Sequence, residues 1–223
     1  MRSDSESNPQ PSPAPLRPTS FRLLSPAERE ASMHSTLSSG WNGRDDIWIF
    51  GYGSLIWRPE FPHSQRILGT IRGYHRSLCL WSRVNRGTPE VPGLVFALDR
   101  GGSCRGMVFR LPAEEVPVIF PALWEREMPS GAYLPRWLPC ATEQGTVKAL
   151  AFVMNRANSG YAGRLPIAEI IRAVRNGVGR YGHCADYVLE TARALREHGI
   201  TDRRLEELVR ELESTHPANE IDP

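Results

Sequence analysis

The chain has 223 residues, of which 40% are hydrophobic and 23% charged, as expected for a globular protein with one domain-sized core. Its 27 Lys and Arg residues against 25 Asp and Glu residues give a formal net charge of +2. This balance provides no dense basic face, so no nucleic-acid partner is expected. No apolar run is long enough to cross a bilayer, so no membrane association is expected either.

The N-terminal region differs in composition from the rest of the chain. Residues 1–20 are rich in Ser and Pro and nearly lack large apolar side chains, so they are predicted to be disordered. Residues 21–45 form an N-terminal extension in which Ser25, followed by Pro26, predicts the start of a short helix. Its position before the main domain suggests a docking or lid element. The boundaries predicted for the remaining segments are 46–215 for the main domain and 216–223 for a C-terminal tail.

Short apolar runs separated by Gly, Pro and Asn turns predict strands in the first part of the main domain. The run "IWIF" at 47–50 is the first, and it ends at Gly51. Together they predict a largely antiparallel or mixed sheet, with closure into a barrel as one arrangement. Further strands are predicted at 66–81, 92–99, 104–111, 132–140 and 147–155.

Helical periodicity follows the strands. At residues 112–127 the spacing is helical, but Pro117 and Pro121 predict only short helical pieces. The last third of the chain has apolar residues at helical spacing with glycine stops. Strands followed by helices predict an α+β fold and argue against alternating βαβ units. The three predicted C-terminal helical segments are 166–179, 184–200 and 202–215.

The cysteines and histidines show neither the spacing of a zinc site nor that of a redox pair. A chain of this length does not depend on disulfides for a stable core. We therefore expect reduced thiols in a cytoplasmic protein, with no metal and no organic cofactor. The four cysteines are Cys79, Cys104, Cys140 and Cys184.

The loop "FGYGSL" after the first strand has two glycines, Gly51 and Gly53, and invites comparison with phosphate-binding loops. The third glycine of a dinucleotide-binding loop and the Gly-Lys-Ser/Thr of a P-loop are both absent. Two interpretations remain open from the residues alone. The loop is either an amide nest that, with Ser54, binds an anion such as a carboxylate, or a tight turn whose Tyr52 and Trp57 pack in the core.

Glu127, in "LWEREMPSGAYLPRW" at 123–137, is the candidate acid or base. A carboxylate held against Trp124 and Met128 would lose solvent, and its pKa would rise toward neutrality. The alternative is an exposed glutamate in the charged Glu125-Arg126-Glu127 run. The sequence has no Gly-x-Ser-x-Gly elbow and no Cys–His pair close in sequence, so a covalent intermediate is not expected.

These stretches together resemble one family, the ChaC type of γ-glutamylcyclotransferase, and within it the bacterial form. The similarity runs in the family's order from about Trp48 to about Leu212. The blocks that carry it are "WIFGYGSLIWRPEFP" at 48–62, "RGYHRSL" at 72–78, "RGTPEVPGLVFALDRGGSCRGMVFRL" at 86–111, "LWEREMPSGAYLPRW" at 123–137 and a C-terminal "GYAGRLP" pattern.

The resemblance implies a cofactor-independent lyase that cleaves glutathione to 5-oxoproline and cysteinylglycine, built on a small mixed-sheet β-barrel with flanking helices. It also implies that Glu127 is the catalytic acid/base. Tyr133, shortly after it, is expected to contribute a hydroxyl to the pocket. The loop residues implied to bind the γ-glutamyl group through backbone amides are Phe50, Gly51, Tyr52, Gly53, Ser54 and Leu55.

One stretch departs from the family pattern. Many relatives have Gly-Pro-x-Gly-x-Asn where this chain reads "GRYGHC" at 179–184, before Tyr187. The change affects a helix start or the pocket wall, and it bears on the preference for the cysteinylglycine half of the substrate. Two alternative functions therefore stay open: a cyclotransferase for another γ-glutamyl amine or peptide, and a non-catalytic γ-glutamyl-binding module. The oligomeric state is left open.

Overall fold

The computed structural model describes residues 21–214. The segment 1–20, predicted to be disordered, and the predicted tail 216–223 lie outside this range. Six helices and seven strands make up the described part, with a short 3-10 turn at Ala113–Glu115. In chain order they are α1 Pro26–Gly40, β1 Ile47–Gly51, α2 Ser54–Trp57, β2 Gln65–Ser82, β3 Gly93–Leu111, α3 Val116–Glu127, β4 Tyr133–Thr142, β5 Gly145–Met154, α4 Ile167–Asn176, β6 Val178–Gly179, β7 Gly182–His183, α5 Cys184–Glu197 and α6 Arg203–Ser214.

Five strands close into a barrel in the order β1-β3-β2-β4-β5. Neighbours along this order pair antiparallel, whereas β1 and β5 run parallel, with Trp48 opposite Ala149 and Ile49 opposite Leu150. The sheet is therefore mixed, and closing it leaves no long unpaired edge. The α+β class and the small barrel with flanking helices are confirmed.

The prediction of separate strands at 92–99 and 104–111 was wrong, because β3 is one strand. It stays paired with β2 on both sides of the "RGGS" segment, with Tyr74 opposite Arg100 and Arg72 opposite Ser103. The register shifts between Arg72 and Tyr74, and Gly101 has a φ of +99°. A bulge with glycine at positive φ thus bends the long β2–β3 hairpin without ending it.

The prediction that prolines would break the 112–127 segment into short pieces was also wrong. Helix α3 is continuous, with Pro117 in its first turn, where a missing N–H costs nothing, and Pro121 inside it. The buried face of Phe120 and Trp124 packs on the barrel and compensates for the bond that Pro121 cannot make. As a result, Glu127 is held at the last position of a docked helix.

The three C-terminal helices were predicted correctly, but the predicted end of the first one was wrong. The helix predicted over 166–179 ends at Asn176, and Val178 instead pairs with His183 in a two-stranded β6–β7 hairpin. Helices α5 and α6 occupy the predicted segments. The buried apolar face of α5 packs against β3, which places Tyr187 on the inside, and α6 packs against α4 and α5.

The N-terminal extension packs on the outside of the barrel. Its helix begins with a full capping box in which Ser25 and Glu28 bond each other's backbone, so the predicted helix start is confirmed. The indole Nε1 of Trp137 donates to the carbonyl of Thr36 at 2.9 Å. Lys148 Nζ donates to the carbonyl of Gly40 at 2.9 Å. Side chains of β4 and β5 therefore fasten α1 to the sheet.

Candidate active site

The "FGYGSL" loop leaves β1 and turns directly into the short helix α2. Tyr52 is buried, and its hydroxyl donates to the carbonyl of Phe152 at 2.8 Å. The carbonyl of Tyr52 accepts from Nε of Arg76 at 2.5 Å, and Arg76 is in turn paired with Asp202 at 2.7 Å. The hydroxyl and the carbonyl of Tyr52 therefore anchor the loop to β5 and, through Arg76, to Asp202 just before α6.

The loop also contains backbone amides that have no acceptor in the part of the chain that the structure describes. Ile56 donates to the carbonyl of Gly53 and Arg58 to that of Ser54. The amides of Gly53 and Ser54 themselves donate to no other atom within residues 21–214. The two interpretations left open by the sequence are therefore compatible, because Tyr52 packs in the core while the following amides stay available for an anion.

Arg126 connects this loop to helix α3. Its Nη1 donates to the carbonyl of Arg58 at 2.7 Å and to Oε2 of Glu60 at 2.9 Å. Its Nη2 donates to Oγ of Ser54 at 3.1 Å. Sequence blocks some 70 residues apart are therefore fixed to each other by one guanidinium.

Glu127 has the desolvated environment that its neighbours predicted. Its side chain is 14% exposed, so it is not the exposed member of a solvated charge run. It nevertheless has an arginine partner, since Arg126 Nε lies 3.1 Å from its Oε1. Burial raises the pKa of Glu127, the charge of Arg126 opposes the rise, and the carboxylate of Glu60 adds to it.

Three tyrosines interact electrostatically with the carboxyl group of Glu127. Burial raises the pKa of Tyr52, Tyr133 and Tyr187, and the negative charge of Glu127 contributes to each rise. Tyr133 Oη donates to the carbonyl of Phe96 at 3.0 Å, and the Phe96 amide donates to Tyr187 Oη at 3.0 Å. All three hydroxyls are therefore neutral at physiological pH, and those of Tyr133 and Tyr187 are held by one residue of β3.

Glu127, Tyr133 and Tyr187 line a cleft of about 550 Å³. Of the predicted site residues, Ser54, Glu127 and Tyr133 line it. The remaining loop residues are buried and do not line the cleft: Phe50, Gly51, Tyr52, Gly53 and Leu55. Segment 21–24 of the N-terminal extension also reaches the cleft through Phe21 and Leu23, and it is tied to the turn after α3 by a 2.8 Å bond from the Leu24 amide to the carbonyl of Pro129.

Sequence reasoning missed several residues of the cleft wall. Tyr187 comes from α5, and a Cβ added at Gly53 would lie 3.0 Å from its hydroxyl oxygen. Several arginines line the cleft from other elements, and the sequence did not identify them as pocket residues because only the closed barrel brings them together. They are Arg58, Arg83, Arg86 and Arg180.

The stretch that departs from the family pattern forms part of this wall. Arg180 and Tyr181 occupy the turn of the β6–β7 hairpin and line the cleft. The helix start that follows is intact: α5 begins at Cys184, whose Sγ donates to the carbonyl of Leu94 at 3.0 Å. Residues of the departing stretch therefore lie on the cleft wall and directly before α5.

Within residues 21–214 three other features are absent: a metal-binding cluster, a membrane-spanning helix and a disulfide bond. No group of three or more His, Cys, Asp or Glu side chains is placed to hold a metal ion. Within the same part of the chain, no helix combines the length and apolar character that crossing a membrane requires. The four cysteines are free thiols, and all are buried.

Comparison with known proteins agrees with this architecture. The family model described as ChaC-like protein matches residues 47–215. The chain belongs to the ChaC-like family. This ChaC-like chain is 35% identical over 191 residues to the glutathione-specific γ-glutamylcyclotransferase of Escherichia coli (strain K12), covering 84% of the chain and 81% of the relative. It is 32% identical over 218 residues to the glutathione-specific γ-glutamylcyclotransferase 1 of Mus musculus, covering 94% and 91%.

The fold of the ChaC-like chain also has a solved counterpart. A crystal structure of the yeast γ-glutamyl cyclotransferase specific to glutathione superimposes with a TM-score of 0.72. The match covers 77% of this chain and 97% of the yeast chain at 20% sequence identity. At that identity the likeness establishes the shared barrel fold.

Proposed function

We propose that this ChaC-like protein is a glutathione-specific γ-glutamylcyclotransferase that releases 5-oxoproline and cysteinylglycine. The observation that carries the proposal is Glu127, a largely buried carboxyl group with a raised pKa that lines the cleft and is tied through Arg126 to the "FGYGSL" loop. The names of the Escherichia coli and mouse relatives supply the substrate.

The substrate brings its own nucleophile. The α-amine of the γ-glutamyl group attacks the γ-carbonyl carbon of the same residue, a C–N bond forms, and a five-membered lactam closes. The amide bond to the cysteinyl nitrogen then breaks. The enzyme's main task is to hold the γ-glutamyl group in the conformer that reacts, and such orientation accounts for a large share of a barrier.

Glu127 is the group proposed to move the proton. As a carboxylate it accepts a proton from the α-ammonium, which frees the lone pair for attack. As a carboxylic acid it then returns the proton to the departing cysteinyl nitrogen. A raised pKa suits both roles near neutral pH, because the base is stronger and the acid form is accessible.

The loop is proposed to bind the negative charge of the γ-glutamyl end. The free amides of Gly53 and Ser54 are donors for the α-carboxylate or for the oxyanion that develops on the γ-carbonyl. The backbone from Phe50 through Leu55 holds those amides in place. Tyr133 lines the same cleft, and its hydroxyl, fixed to the Phe96 carbonyl, bounds the pocket beside Glu127.

The deciding experiment measures 5-oxoproline formed from glutathione by the wild type and by Glu127→Gln. Gln keeps the size of the side chain and removes the titrating group, so turnover is expected to fall by about 100-fold or more. Glu114→Gln, at an exposed position outside the cleft, is the matched control and keeps activity. A wild type that makes no 5-oxoproline refutes the function, whereas an active Glu127→Gln variant refutes the role of Glu127.

A related γ-glutamyl amine or peptide is the second candidate substrate. It is favoured by the position of Arg180 and Tyr181, in the stretch that departs from the family pattern, on the cleft wall. Values of kcat/KM across glutathione, γ-glutamylcysteine and γ-glutamyl amines separate the two candidates. Binding of these compounds without any 5-oxoproline would instead favour the non-catalytic module. We also infer a cytoplasmic location, which the four free thiols support.

A further inference from the structure

Arg86 is a buried cation in the wall of the cleft. It lies in the segment between β2 and β3, and it is only 8% exposed. Its Nη1 donates to the carbonyls of Tyr181 at 2.7 Å and His183 at 3.0 Å. The guanidinium lies over the ring of Tyr187, 5.4 Å from its centroid. One end of the guanidinium is therefore fixed to the β6–β7 hairpin.

The other edge of this guanidinium has no partner in the part of the chain that the structure describes. Nε and Nη2 donate no hydrogen bond there, and Arg86 forms no ion pair with an Asp or Glu of residues 21–214. Burial lowers the pKa of Arg86, and the charge of Arg58 adds to this. Burying a cation without a counter-ion is costly, so an anion entering the cleft would remove that cost.

The backbone around Arg86 is packed so closely that only glycine fits beside it. A Cβ added at Gly93 would lie 2.1 Å from the carbonyl oxygen of Arg86, and one at Gly177 would lie 2.6 Å from it. A Cβ at Gly179 would lie 2.6 Å from the Arg86 amide nitrogen, which donates to Oγ of Ser82 at 2.9 Å. Arg86 is thus held in one position, as a binding residue needs to be.

Arg86 and the acid/base candidate come from different elements that line the same cleft. Arg86 lies in the segment between β2 and β3, and Glu127 is the last residue of α3. Tyr187, whose ring lies against the Arg86 guanidinium, also lines the cleft. A ligand that contacts both groups therefore extends along the cleft.

We propose that Arg86 binds the C-terminal carboxylate of the substrate peptide, the glycyl carboxylate of glutathione. This inference rests on the proposed function, in which the γ-glutamyl end lies at Glu127. Nε and Nη2 share one edge of the guanidinium, and two parallel N–H groups match the two oxygens of a carboxylate. Arg86 then selects γ-glutamyl peptides with a free C-terminus over γ-glutamyl amines.

The test measures ligand binding by calorimetry to the full-length Glu127→Gln variant, which does not consume the ligand. The probes are glutathione, its glycine amide and its glutamyl α-amide. The glycine amide is expected to bind about 10–100-fold more weakly than glutathione, as for the loss of a charge-assisted hydrogen bond. In Arg86→Gln/Glu127→Gln this preference for the acid disappears, whereas the penalty for the α-amide remains.

Two further variants separate recognition from structure. Arg136→Gln/Glu127→Gln removes an exposed arginine outside the cleft and is expected to keep the preference for the acid. Arg86→Lys/Glu127→Gln keeps the positive charge but not the two parallel N–H groups of the guanidinium. It is expected to keep part of the preference for glutathione over its glycine amide, and it provides a test if the Arg86→Gln variant fails to fold. Equal binding of glutathione and its glycine amide to Glu127→Gln overturns the inference, as does a preference that survives Arg86→Gln. Failure of the proposed function appears separately, as a wild type that forms no 5-oxoproline.

Discussion

Arg126 Nη2 donates to Oγ of Ser54 at 3.1 Å, and Nε of the same guanidinium lies 3.1 Å from Oε1 of Glu127. One side chain therefore positions the substrate-binding loop relative to helix α3 and also sets the charge environment of the acid/base candidate. Lys could reproduce the charge but not these several directed contacts. The two functions of Arg126 can be separated by experiment.

Removing the charge of Arg126 is expected to shift the pH dependence of kcat. Because Arg126 stabilises the carboxylate of Glu127, its loss raises the pKa of Glu127 further. A base with a higher pKa is ionised only at higher pH, so in Arg126→Gln the acid limb of the pH profile moves to higher pH. Ser54→Ala breaks only the loop contact and leaves that limb in place. An acid limb that stays fixed or moves down in Arg126→Gln contradicts the proposed coupling.

Ionisation of Glu127 is expected to lower the free energy of unfolding as the pH rises. Its pKa in the folded chain is above the ordinary value of the unfolded chain, so between these two values the folded state binds more protons. The free energy of unfolding of the wild type therefore falls as pH rises through that window. Glu127→Gln does not titrate, so its stability relative to the wild type increases over the same window. Urea unfolding across this range measures the difference, and a relative stability of the variant that falls with pH would show the opposite shift.

Much of the fold was predictable because hydrophobic period and turn residues act locally. β1, α5 and α6 follow directly from apolar spacing and glycine stops. The wrong predictions have tertiary causes. β3 was predicted as two strands, but pairing with β2 keeps it continuous across the glycine bulge. α3 was predicted as short pieces, but packing of Phe120 and Trp124 keeps it helical past Pro121.

The candidate site was predictable only where the chain keeps its residues in contiguous blocks. Glu127 and the Ser54 loop each lie in a recognisable block, and Glu127 and Ser54 line the cleft. Tyr187 comes from a helix, and Arg86, although it begins the block at 86–111, comes from a connecting segment. Neither could be identified as a site residue from its own stretch of sequence. Only the barrel and the β6–β7 hairpin bring them to the site.

Gly53→Ala is expected to reduce activity by displacing Tyr187. The added Cβ would lie 3.0 Å from Tyr187 Oη, which is closer than ordinary van der Waals contact. Tyr187→Phe removes that oxygen, so Gly53→Ala/Tyr187→Phe should lose less than the sum of the single variants. A double-mutant cycle on kcat/KM measures this coupling. Strictly additive losses would mean that the two residues do not act on each other.

Gly40→Ala is expected to loosen helix α1. An added Cβ would lie 2.0 Å from Nε1 of Trp137, so the indole must move and lose its 2.9 Å bond to the Thr36 carbonyl. Overpacking of this kind costs about 1–3 kcal/mol. Thermal unfolding and tryptophan emission report the change. Ser38→Ala, on an exposed position of the same helix, should leave both unchanged, and an unaltered Gly40→Ala variant would refute the close contact.

The thiols are expected to react slowly with a disulfide reagent in the folded protein. Burial raises the pKa of Cys79 to about 12 and the pKa of Cys140 and Cys184 to about 11 each, and burial also raises the pKa of Cys104. Little thiolate is then present at pH 8, and the sulfurs are shielded. Spectrophotometric titration should count four thiols in urea and far slower reaction in buffer. Rapid modification of any one in the native protein would contradict its burial.

Lys148 is the chain's only lysine, and it is exposed while donating to the carbonyl of Gly40 and lying 5.4 Å from the ring centroid of Trp137. Amine-directed chemistry therefore meets one side chain besides the α-amino group. A fluorophore coupled there sits where α1 meets the sheet, close to an indole that can quench it. The natural sequence thus offers a single-site attachment point for an optical reporter of N-terminal helix release, without any engineered cysteine.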